Sequence, residues 1–302
     1  MKAQERFDAL SKQPLVAIGS SEGKVVSTWA SLRGVLQHRQ MLSLLVRRDI
    51  KSRYKDSSLG FIWALVRPLT QLAIYYIVLG KILGAERGIP EFAIYVYTGL
   101  TAYGLFSEIV AGGTSSIVTN AGLIKKIYLP REVFPLASVG SALFNFMIQL
   151  VILIVACFVF GSPPFSKEAI YFLPALAILL IWATAFAILL SAVNVYLRDV
   201  QYLVEVVVML LMWASPIVYS WKMVTETPGI SQLAVQIYTN NPITLAILGF
   251  QRTFWISGHD IAGSAPGGLM LKMVIAILVG LVFLFISQRV FAKLQGNFAQ
   301  EL

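Results

Sequence analysis

Tyr171-Phe-Leu-Pro-Ala-Leu-Ala-Ile-Leu-Leu-Ile-Trp-Ala-Thr-Ala-Phe-Ala-Ile-Leu-Leu-Ser-Ala-Val193 contains no charged residue. About 20 apolar residues in a helix cover a hydrocarbon core of roughly 30 Å. Working outward from this run, five more stretches meet the same test: residues 60–83, 92–118, 133–160, 202–221 and 269–291. The composition agrees. The chain is 57% hydrophobic and 13% charged, whereas soluble domains carry about a quarter charged residues. The runs lack the ten-residue alternation of outer-membrane strands. The expected fold is all-α: a polytopic membrane protein with six transmembrane helices.

Lys and Arg set the orientation, because cytoplasmic connections collect them. Residues 1–57 hold eleven, and the connections after the second and fourth runs and the tail bring that side to seventeen. The opposite side has six. Both termini are expected in the cytoplasm. The net charge of +9 reads as this same bias, not as a nucleic-acid footprint. No short apolar stretch with a small-residue cleavage site opens the chain, so the first span is expected to target it to the membrane.

Ahead of that span, residues 1–27 read as a polar segment and 28–57 as a cytoplasmic or interfacial amphipathic helix. Trp29, Leu32, Leu36, Leu42 and Val46 recur near a helical period with Arg33, Gln37 and Arg47 between them. That face fits either a membrane interface or a packed partner. Residues 58–293 form the membrane domain and 294–302 a cytoplasmic tail. Between the last two spans, residues 222–268 contain Pro228, Pro242 and Pro266 and two apolar pieces, 230–238 and 243–256. Neither piece is long enough to cross, so external re-entrant helices are expected.

Catalytic and metal-binding patterns are missing. The two histidines, His38 and His259, fall on opposite expected sides, and Cys157 lies alone in an apolar run. No HExxH, CxxC or GxSxG occurs. Gly19-Ser-Ser-Glu-Gly23-Lys24-Val25 is one residue short of a phosphate loop and lacks its Ser or Thr. The chain is not expected to hold ATP, a metal or any other cofactor. Ionisable residues within spans are costly and mark function by default. Glu108 reads as a conduit or gate carboxylate, or as a structural hydrogen-bond acceptor. Glu205 and Arg67 lie near span ends, where interfacial placement competes.

Four motifs, in order, carry a family resemblance. The approach to the first span reads Arg47-Arg48-Asp49-Ile-Lys-Ser-Arg53-Tyr54-Lys-Asp-Ser-Ser-Leu-Gly-Phe-Ile-Trp63, followed by Pro68-Leu69. Leu129-Pro130-Arg131-Glu132, Tyr196-Leu197-Arg198-Asp199 and Ser215-Pro216-Ile217-Val218-Tyr219 follow, with Asn241-Pro242 beyond them. The set closely resembles ABC-2-type permeases that export polysaccharides and polyol phosphates. The resemblance implies a homodimer, two copies of a separate ATPase subunit holding ATP and magnesium, and a lipid-linked glycan substrate such as an O-antigen, teichoic acid, capsule or galactan.

Together with the residues themselves, the resemblance suggests roles. Leu123, Ile124, Lys125, Lys126, Ile127, Tyr128, Pro130 and Arg131, with Arg198 and Asp199, would couple to the ATPase. Arg47, Arg48, Arg53, Tyr54 and Arg67 would line the cytoplasmic entry. Tyr75, Tyr76, Glu108, Met209, Trp213 and Tyr219 are the conduit candidates, and the first and fifth spans would face each other across the dimer axis. The chain itself would be no enzyme. Competing readings are an ABC-2 exporter of a drug or small lipid and, in a different class, a membrane-embedded glycan ligase or acyltransferase.

Overall fold

The computed structural model describes residues 33–34, 37–54, 62–84, 88–126, 129–261 and 263–302. The polar segment 1–27 lies outside them. Among the described residues every regular element is helical. Helix α1 spans Arg39–Tyr54, and α2 spans Ile62–Ile74 and runs into a π-helical stretch, Tyr75–Ile82. Then come α3 (Phe92–Thr119), the single turn α4 (Ala121–Ile124), α5 (Val133–Val159), α6 (Phe172–Tyr196) and α7 (Val200–Trp213). The remainder is α8 (Trp221–Thr225), α9 (Gln232–Asn240), α10 (Pro242–Phe254), α11 (Leu269–Leu294) and a last turn, α12 (Phe298–Glu301).

Among the described residues three helices, α5, α6 and α11, are long and apolar enough to cross a membrane. Their outward faces show why. On α11, Leu271, Val274, Ile275, Leu278, Val282, Phe285 and Ile286 stand exposed at helical spacing, an apolar stripe suited to lipid.

Helix α3 is the centre of the bundle. It is 28 residues long, and most of its side chains from Phe92 to Ile117 are buried, enclosed by α5, α6, α7 and α10. Small residues permit the close approach. A Cβ on Gly113 would lie 2.4 Å from the Cβ of Ala187 on α6, so only glycine lets these two helices touch there.

The amphipathic face of α1 has its partner within the chain. Leu45 is buried, and Met41, Leu42 and Val46 pack with it against the cluster around Val133, Phe134 and Ala137 of α5. A Cβ on Gly140 would meet a Val46 methyl at 2.6 Å. Helix α1 therefore lies directly on α5.

Helix α7 differs most from expectation. The apolar run 202–221 reads as a span, yet the helix stops at Trp213 after 14 residues, about 21 Å of rise. Pro216 is the reason, since it cannot donate to a preceding turn. The chain turns through Ser215–Tyr219, and Ser215 Oγ instead donates to the Leu211 carbonyl at 2.7 Å.

Helix α10 begins by design. The side chain of Asn241 accepts from the N–H of Ile243 at 3.0 Å, and Pro242 occupies the first helical position, where its missing N–H costs nothing. The helix is buried almost throughout and packs against α6 and α3.

Candidate functional site

Four helices wall a cavity of about 550 Å³: α2 through Pro68 and Gln71, α3 from Tyr97 to Ala111, α5 through Gln149, and α7 through Glu205, Val208, Met209 and Met212. Helix α3 presents Tyr97, Tyr103, Ser107 and Glu108 to it. With Leu100, Gly104 and Ala111 they recur every three to four residues along the face of α3 turned toward α2, α5 and α7. In a bundle this apolar, two carboxylates and two amides on one cavity are a concentrated polar lining.

Glu108 is held from two sides. Arg53 of α1 donates to its Oε1, and Asn145 Nδ2 of α5 donates to the same oxygen at 2.6 Å. Arg53, expected at the entry, thus reaches Glu108, expected in the conduit, directly. The side chains are 44% and 25% exposed, so this pair lies at the edge of the solvated space. Tyr103 Oη donates to the Val208 carbonyl, tying α7 to α3 across the cavity. The hydroxyl of Tyr97 is buried and has no hydrogen-bond partner among the described residues.

Of the conduit candidates, Glu108 and Met209 line this cavity. The other four lie elsewhere. Tyr75 packs against the main core. Tyr76 stands edge-on to Phe160 at 6.5 Å, with the Lys81 ammonium 5.3 Å above its ring. Trp213 is exposed. Tyr219 closes the turn after α7, its hydroxyl donating to the Trp213 carbonyl at 2.7 Å. That turn is fastened further by Tyr95 Oη, which donates to the carbonyls of Pro216 (3.1 Å) and Tyr219 (2.7 Å), and by Gln251 Nε2, which donates to Pro216 at 2.7 Å.

The coupling candidates gather at one end of the bundle, where α3, α6 and α11 finish and α5 and α7 begin. Leu123 and Ile124 of α4 pack on the cluster that contains Leu45 and Phe134, while Lys125 and Lys126 stand exposed. Pro130 lies beside Gly34. The Arg131 guanidinium sits 5.5 Å over the Phe298 ring. Arg198 and Asp199 are exposed in the turn between α6 and α7. Arg47 is exposed on α1; Arg48 donates to Asp49 and to the side-chain oxygen of Asn120, each at 2.8 Å. Ile127 and Tyr128, and the side chains of Tyr54 and Arg67, lie outside the described residues.

This end also holds residues that the sequence reading passed over. Asn194, fully buried, donates through Nδ2 to the Thr114 carbonyl of α3 and accepts through Oδ1 from the N–H of Gln201 in α7, both at 3.2 Å. One amide thus joins α3, α6 and α7. Attention to ionisable residues alone misses Asn194, Asn145 and Gln149; an uncharged amide in an apolar run would have found them.

The family model for the ABC-2 type transporter matches residues 40–255, which takes in α1 from its second residue and every wall of the cavity. The chain belongs to the ABC-2 type transporter family. This ABC-2 chain is 28% identical over 265 residues to the O-antigen export system permease protein RfbA of Klebsiella pneumoniae, covering 87% of the chain and 95% of that protein. It is 26% identical over 271 residues to RfbA of Myxococcus xanthus, covering 90% and 98%. It also resembles the polysialic acid transport protein KpsM of Escherichia coli, 31% identical over 81 residues, which is 26% of this ABC-2 chain and 31% of that protein.

Proposed function

We propose that this chain is the membrane subunit of an exporter that moves a lipid-linked polysaccharide across the cytoplasmic membrane. Membership in the ABC-2 family and the full-length likeness to O-antigen export permeases support this reading. The observation that carries it is the 550 Å³ cavity with Glu108, Glu205, Gln71 and Gln149 on its walls. Charged side chains at membrane depth are costly and face water-filled paths.

The finer assignments extend the same reading. The six spans are α2 with its π-helical extension, α3, α5, α6, α7 and α11, with α9 and α10 as external re-entrant helices and both termini in the cytoplasm. The chain works as a homodimer, with α2 and α7 meeting across the axis. Their exposed apolar side chains, among them Leu69, Ile74, Met209 and Leu210, support that pairing. Two separate ATPase subunits hold ATP and magnesium and dock on α1, α4 and the Arg198–Asp199 turn. The chain performs no hydrolysis itself.

Deletion followed by extraction of lipid-linked glycan tests the proposal. Full-length glycan held on the inner leaflet, and absent from the cell surface, is the expected result. Normal surface glycan would overturn it.

A further inference from the structure

The export reading leaves open the charge of the glycan, and the cavity lining bears on it. Among the described residues, the walls carry two carboxylates, Glu108 and Glu205, and no lysine or arginine. Arg53 neutralises Glu108 from outside the lining. No cation among the described residues pairs with Glu205, and its carboxylate stands exposed on the cavity. Among the described residues the lining therefore carries one uncompensated carboxylate, Glu205.

The hydrogen-bonding inventory points the same way. A carboxylate accepts only, whereas a sugar hydroxyl both donates and accepts. Glu205 is thus a ready acceptor for hydroxyl protons. The amides of Gln71 and Gln149 add both donors and acceptors. Met209, Met212 and the Tyr103 ring offer apolar surface to the C–H faces of sugars. A uronate carboxylate or a phosphodiester brings acceptors only, and finds Glu205 with no cation beside it. Like charges on one wall repel, and the solvent that reaches Glu205 screens part of that repulsion.

We propose that the cavity selects for glycans whose repeat units are uncharged, with Glu205 as the discriminating residue. The proposal rests on the export reading above. Polyhydroxylated neutral sugars pass along the wall; repeat units bearing carboxylate or phosphate are held back.

Inside-out membrane vesicles from cells carrying the native complex provide the test. Two synthetic probes share one polyprenyl diphosphate carrier and one length, so the carrier's own charge cancels. One bears neutral hexoses; in the other, alternate hexoses are hexuronic acids. Export is read as ATP-dependent protection from an added glycosidase, over the background of deletion vesicles. The neutral probe is expected to enter about tenfold faster, and Glu205→Gln to reduce that ratio about threefold or more, the scale of one removed like charge. Should that variant fail to reach the membrane, Met209→Lys places a cation on the same wall and is expected to narrow the ratio likewise. Equal rates for both probes, or a ratio that neither variant moves, would overturn the charge selection while leaving export intact. Protection of neither probe would instead overturn the export reading and the selection together.

Discussion

Arg53, on the helix that precedes the first long apolar segment, donates to the carboxylate of Glu108 midway along α3. Helix α1 is thereby tied to the cavity wall as well as to α5. Solvent screens part of the attraction at these exposures, and Asn145 keeps a share of Glu108. Arg53→Ala is expected to cost roughly 1 kcal/mol, the scale of polar contacts between membrane helices. Thermal unfolding of the detergent-purified protein measures it. The exchange Arg53→Glu with Glu108→Arg should recover part of the loss, and a double-mutant cycle with no coupling would show the pair to be idle.

Gly113→Val should be among the most damaging single changes. The new side chain would be driven into Ala187, with no flexible group to give way. Overpacking of this kind costs about 1–3 kcal/mol or more. A lowered unfolding temperature and reduced membrane abundance are expected. Wild-type abundance would mean that α3 and α6 separate more easily than their contact implies.

Asn194→Leu keeps the approximate volume and removes both bonds of the amide. The Thr114 carbonyl and the Gln201 N–H are then left without it. A loss of about 1–2 kcal/mol is expected, with export falling further than abundance, because α7 would no longer move with α3 and α6. Equal losses in export and abundance would confine Asn194 to a structural role.

Lys125→Glu with Lys126→Glu changes two exposed cations. Insertion and stability should hold, while ATP hydrolysis by the complex continues without export. Adding Arg131→Glu should deepen the effect, since it also disturbs the Phe298 contact. Unchanged export would remove this turn from the coupling surface.

The dimer axis is open to crosslinking. Leu69→Cys on α2 and Leu210→Cys on α7, introduced together, should yield an oxidised dimer in native membranes, as both positions are exposed. Monomer alone, across several such pairs, would place the axis on other helices.

Much of the fold was legible in the run of residues. Helices α6 and α11 start and stop within a few residues of the apolar runs 171–193 and 269–291, because the one proline in those runs, Pro174, falls in the first turn of α6, where a missing N–H is tolerated. Helix α7 was misjudged because a count of apolar residues passes over Pro216, whereas the backbone does not. Sequence could place α1 as amphipathic but could not say what covers it. The answer depends on Gly140, a residue far along the chain whose only signal is its lack of a side chain. The site divides in the same manner. Glu108 stands out as a carboxylate in an apolar run. Its partners Arg53 and Asn145 come from two other helices, and no local pattern announces such a meeting.

With α7 placed in the membrane, as proposed above, the turn after it has a consequence for the surrounding lipid. A helix of 14 residues falls short of a bilayer core by about a third. Left alone, its loose end would draw water inward or force the membrane to pinch. Here the carbonyls of Trp213, Pro216 and Tyr219 are occupied by side chains of Tyr219, Tyr95 and Gln251. Irregular backbone satisfied in this way can rest in a dry environment. The helix can therefore end early without wetting or thinning the membrane beside it.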